Sequence, residues 1–190
     1  TGVQTCALPI LQLAYLQALS LKVTNQINQY AVAVDKYTMD NITDRHRRVF
    51  DHIILIPGED DARDQKWKMG NEWKAGIISP FDETIKVESD ILFTASIDHW
   101  WNSLSIKDVC FTNSVVNYTE QTATSRQYRK LFDLNNLPDI YAGLYYFKKS
   151  ETATELFDYA RGIFQNWTYV KNYTLKNAEN EPASTDVVFA

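Results

Sequence analysis

The chain reads as an α/β protein with a mostly parallel central sheet, helices on both faces, and truncation at both ends. Three observations predict this class. Helical and extended patterns alternate through the first half. Two short apolar runs, YAVAVD (30–35) and HIILIPG (52–58), end in Asp35 and in Pro57-Gly58, as buried parallel strands do. The bulk composition is that of a globular domain, with 45% hydrophobic and 23% charged residues in 190 positions.

Taken in order, residues 1–10 (TGVQTCALPI) stand apart. They resemble the in-frame translation of a sequencing-adapter oligonucleotide, and they lack the basic start and the cleavage site of a secretion signal. The expected domain therefore covers 11–190 as one unit. In LQLAYLQALSLKVTN (11–25), Leu13, Leu16, Leu19 and Val23 have helical spacing, with Ala14 and Ala18 between them. The YAVAVD strand follows. Thr43 is placed to cap a short helix over DRHRRVF (44–50). After the HIILIPG strand, EDDARDQ (59–65) is a charged loop, and KWKMGNEWKAGII (66–78) is helical in spacing through Trp67, Gly70, Trp73 and Ile77. SPFDETIKVESD (79–90) is a turn and a third strand. Because the chain opens on a helix, a strand is expected before it.

The second half carries a short helix over IDHWWNSLSI (97–106), an extended run over DVCFTNSVVNY (108–118), and a basic helix over TSRQYRKLFDL (124–134). A strand with a central glycine follows at DIYAGLYYFKKS (139–150). The strongest helical pattern is TATELFDYARGIFQNW (152–167), with a Thr152/Glu155 capping box and an apolar stripe of Leu156, Ala160, Ile163, Phe164 and Trp167. STDVVFA (184–190) starts a last helix with Ser184 or Thr185 as its cap.

The net charge of −5 argues against nucleic acid or an anionic membrane surface as a partner. No apolar run reaches the roughly 18 residues of a spanning helix. With Cys6 set aside, Cys110 is the one remaining cysteine, and the lack of a disulfide framework points to a reducing, cytoplasmic location. The three histidines, His46, His52 and His99, lack zinc-ligand spacing, and no phosphate-cradling glycine loop occurs.

The chemically distinctive stretch is TIKVESDILF (84–93). Side chains alternate along a strand, so Glu88 and Asp90 are expected to point the same way, beyond a strand's carboxyl end. Two neighbouring carboxylates repel unless a cation lies between them. Hard oxygen ligands of this kind suit Mg²⁺ or Mn²⁺, with phosphate oxygens completing the shell.

The ordered set EWKAGIISPFDETIKVESDILF, then DIYAGLYYFKKSETATELF, then ASTDVVFA resembles the nucleotide-sugar glycosyltransferases of the GT-A fold, over most of 11–190. The resemblance implies a metal-dependent transfer of sugar from a nucleoside-diphosphate sugar to an acceptor. It implies that Asp90 ligates Mn²⁺ or Mg²⁺, with Glu88 ligating directly, ligating through water, or touching the ribose. It further implies Asp35 near the nucleoside, Lys74 (or Lys68) near the diphosphate, Gly143 allowing close approach of the donor sugar, and Asp186 as the base if the reaction inverts configuration. Two positions depart from the family pattern: Glu88 stands where Asp is commoner, and Tyr141 stands where Asn is usual before Ala142-Gly143. Two rival readings are a nucleotidyltransferase on a related sheet and a non-catalytic domain that binds a sugar or a partner.

Overall fold

A computed structural model describes residues 7–24, 28–58, 69–116, 119–120 and 129–190. Trp67, Lys68, the charged loop 59–65 and the start of the basic helix lie outside the described residues.

The first part holds helix α1 (Ala7–Thr24), strand β1 (Ala31–Val34), the short helices α2 (Lys36–Asp40) and α3 (Asp44–Arg47), and strand β2 (His52–Leu55). A 3₁₀ turn over Glu72–Lys74 leads into α4 (Ala75–Ile78), then β3 (Glu83–Val87), α5 (Trp100–Leu104) and β4 (Val109–Thr112). The last part holds α6 (Arg129–Asn135), β5 (Tyr141–Lys148), α7 (Glu151–Gln165), α8 (Trp167–Tyr173) and α9 (Thr185–Phe189).

The expected mostly parallel central sheet is not what these strands form. β1 and β2 make a two-stranded parallel sheet, and β3, β5 and β4 make a separate three-stranded sheet in that order. Both pairings of β5 are antiparallel. The physical reason lies in β5. It is the longest strand, and Ala142, Tyr145, Tyr146 and Phe147 on its two faces are at most 2% exposed. A strand so apolar on both sides must be central, and it takes β3 and β4 as its flanks. Helix-strand alternation identified the element types but not which strands pair.

Helix α1 forms as expected. Leu11, Ala14, Ala18 and Leu21 are buried, whereas Leu13, Leu16 and Leu19 are 36–44% exposed and Val23 is 85% exposed. A helix that is apolar nearly all round carries no spacing signal for its buried side. The small side chains of Ala14 and Ala18 set the buried face, in a cluster that also holds Tyr30, Phe50, Phe93 and Ile97. Gln17 is 1% exposed on that face. Its side-chain amide donates to the Glu88 carbonyl and its oxygen accepts from the Tyr30 hydroxyl.

Helix α7 starts earlier than the Thr152/Glu155 pattern suggests. Ser150 is its cap, with the hydroxyl accepting from the Ala153 amide at 3.2 Å. Ala153, Phe157, Ala160 and Phe164 form its buried stripe, flanked by Leu156 and Ile163. This stripe packs with Tyr145, Phe147 and Phe189 in an aromatic core; the Phe147 and Phe157 rings meet edge-on at 5.0 Å. A Cβ at Gly76 would lie 2.2 Å from the Phe157 ring, so glycine there lets α4 approach α7. No described helix is long and apolar enough to cross a membrane.

Candidate functional site

The expected acid-x-acid strand end is a turn. β3 stops at Val87, and the Ile91 amide donates to the Glu88 carbonyl at 3.4 Å, closing a turn over Ser89 and Asp90. The two acids therefore do not alternate along a continuing strand. Asp90 is exposed, whereas Glu88 is half-buried and its Oε2 accepts from the Tyr141 hydroxyl at 2.9 Å. The Glu88 amide donates to the Gly143 carbonyl at 2.8 Å, which ties the turn to β5.

Tyr141, Gly143 and Tyr145 alternate along β5 on one face, the face that carries Lys86 and Glu88 from β3. Gly143 does leave room for a close approach, but that room is taken from within the chain. A Cβ there would lie 2.2 Å from Cζ of the Tyr141 ring. The Tyr141 ring folds over the glycine and its hydroxyl reaches Glu88.

Asp186 is 4% exposed in the first turn of α9, behind the Ser184 cap. Its Oδ1 accepts from the Ala142 amide at 2.8 Å. The Ala142 carbonyl in turn accepts from the Lys86 ammonium at 3.4 Å. Glu88, Gly143 and Asp186, which are far apart in sequence, thus meet at the start of β5. Asp35 is elsewhere, at the end of β1, where it is 8% exposed and caps α2 by accepting from the Thr38 amide at 2.7 Å. Lys74 is 4% exposed, with its ammonium 5.5 Å from the Trp73 ring centroid.

Three residues of this neighbourhood escaped the sequence reading. Lys86 forms a buried ion pair with Glu72 at 2.8 Å, the side chains being 15% and 2% exposed. Its ammonium also lies 5.6 Å from the centroid of the Tyr145 ring. Complete burial, and secondarily the Glu72 charge, hold the Tyr145 phenol well above its ordinary pKa, so it stays protonated. Among the described residues, the Tyr145 hydroxyl, Glu72 Oε1 and Ser89 Oγ have no hydrogen-bond partner. The signal that could have found Lys86 is period-two spacing, which puts it on the same strand face as Glu88. Glu72 and Tyr145 left no comparable signal.

Among the described residues no three His, Cys, Asp or Glu side chains converge on a point that would hold a metal. Glu88 and Asp90 alone are the right chemistry for Mg²⁺ or Mn²⁺ where diphosphate and water oxygens fill the remaining positions.

Comparison with known proteins returns no match, either to a protein-family model or to a curated protein.

Proposed function

We propose that the chain is a metal-dependent transferase that takes a sugar from a nucleoside-diphosphate sugar and passes it to an acceptor. The observation that supports this reading is the meeting of Glu88, Gly143 and Asp186 at one end of the three-stranded sheet, with Asp90 exposed in the adjoining turn. Those are positions at which the ordered sequence resemblance implies donor and metal contacts. Glu88 and Asp90 would hold Mn²⁺ or Mg²⁺, which would neutralise charge on the departing diphosphate. Tyr141 orients the Glu88 carboxylate through its hydroxyl. Asp186 holds the start of β5 in place through Ala142, and it is the candidate base for an inverting transfer.

A thermal melt with nucleoside diphosphates and their sugars, with and without Mn²⁺, tests the proposal. A ligand that binds the native state raises the midpoint. A rise that requires Mn²⁺ and disappears in Glu88→Ala/Asp90→Ala is the expected result. No rise with any nucleotide overturns it.

A second reading, a binding domain without transfer, draws support from the Tyr141 ring over Gly143 and from the burial of Asp186. It expects sugar or partner binding that the double alanine variant retains.

A further inference from the structure

A cavity of about 420 Å³ lies between the end of β5 and the first two turns of α7, with Trp73, Gly76 and Ile77 on its other side. Its described lining comes from 73–77, 147–150 and 153–158, each segment described without a break. It is remote from the Glu88 site. At about 3.3 Å per residue, Phe147 is roughly 13 Å along the strand from Gly143.

The walls are mostly apolar. Phe147 of β5 and Ala153 and Phe157 of α7 belong to the aromatic core and are at most 4% exposed. Two polar groups interrupt them. Trp73 is 9% exposed, and its indole N–H is buried without an acceptor among the described residues. An indole nitrogen can only donate, and leaving it unbonded in the interior is costly. The second group is Lys149, which is exposed and lines the cavity one residue past β5.

The other charges around the rim are matched. Lys148 pairs with Asp108 at 3.0 Å, and Asp158 pairs with Arg161 at 3.1 Å. The first turn of α7 already has its anion, because Asp108 also accepts from the Ser150 and Thr152 hydroxyls. Among the described residues Lys149 has no ion-pair partner. An apolar cavity with one buried donor and one uncompensated cation has the chemistry of a site for an amphipathic anion.

We propose that this pocket binds a small monocarboxylate with an aromatic or branched apolar body. The carboxylate has two oxygens, one to accept from the Trp73 N–H and one to meet the Lys149 ammonium. The apolar body lies against Phe147, Ala153 and Phe157. A neutral hydrocarbon would leave the indole N–H unbonded. A phosphate dianion carries more charge than a single lysine matches, and it would lose its water against aromatic walls.

The test uses the whole chain, labelled with ¹⁵N, and phenylacetate as the probe. The chain has 5 tryptophans, and their indole N–H resonances are followed by NMR. The Trp73 resonance is identified by its loss in Trp73→Phe, or by triple-resonance assignment in the parent if that variant does not fold. On titration it should move downfield, further than the other indoles, with a Kd of roughly 1 mM for a ligand of this size. Phenylacetamide, of the same shape without the charge, should bind about fivefold more weakly, and Lys149→Met should weaken phenylacetate by the same factor, the most that an exposed ion pair supplies. Glu88→Ala/Asp90→Ala should leave the titration unchanged. A Trp73 resonance that stays in place well above that concentration overturns the proposal. Equal binding of the amide, or an affinity unchanged in Lys149→Met, overturns it too, because apolar filling alone would then suffice. Loss of the titration in Glu88→Ala/Asp90→Ala places the probe at the other end of β5 and overturns this pocket, whatever that variant does to nucleotide binding.

Discussion

Replacing Lys86 by Met should destabilise the protein by about 3–5 kcal/mol, the cost of leaving a buried charge unpaired. The Lys86–Glu72 contact is 2.8 Å, and the Glu72 side chain is 2% exposed. At an effective dielectric of ~20 the gross attraction is about 6 kcal/mol, which desolvation of the two ions largely offsets. The intact pair is therefore close to neutral in net terms. Removing the lysine alone is not neutral, because Glu72 Oε1 has no other partner among the described residues and Oε2 loses the one it has. Urea unfolding reads the difference directly, with an unchanged m-value showing that only stability moved. The Glu72→Met/Lys86→Met double variant should recover most of the loss, since replacing both partners by apolar groups of similar size is often neutral or stabilising. A single-variant loss under about 1 kcal/mol, or a double variant as unstable as the single one, would refute the reasoning.

Three further outcomes follow from the same geometry. Gly143→Ala should displace the Tyr141 ring and break its bond to Glu88, lowering the melting midpoint by more than Tyr141→Phe, which removes the bond but leaves the ring; equal effects would mean that the close approach is not strained. Asp186→Asn keeps an oxygen for the Ala142 amide and should melt within about 1 kcal/mol of the parent, whereas Asp186→Ala leaves that buried amide unpaired and should cost about 1–3 kcal/mol; activity lost in the Asn variant with stability kept would mark a chemical role. His46 has its pKa lowered by burial and then by the neighbouring Arg45 charge, and its Nδ1 accepts from the Thr43 amide at 3.1 Å, so the folded state favours the neutral ring. Below about pH 6.5 the unfolded chain binds a proton that the folded one does not, so stability should fall as pH drops from about 7 until the folded pKa is passed. His46→Gln should flatten that limb of a melting-against-pH curve, and an unchanged slope would remove His46 as its source.

The local chemistry of this chain was legible in its residues. β1, β2, β3, β4 and β5 each fall on a run of apolar, β-branched or aromatic residues, and the Ser184 cap begins α9 where the pattern put it. At Gly143 the resemblance implied room for a donor sugar; only the fold brings Tyr141 back over the glycine to Glu88. Sheet pairing was equally hidden. The β3–β5 register joins Lys86 to Tyr145 across 59 positions, and no local period records which strand a buried edge will choose. The buried face of α1 was hidden for the same kind of reason, since a helix apolar all round leaves the choice to the surface it meets. Periodicity is a property of neighbours along the chain, and it identifies elements. Pairing, the facing of helices and the meeting of Glu88 with Asp186's end of the sheet are set by contacts distant in sequence, whose energies exist only once the chain has folded.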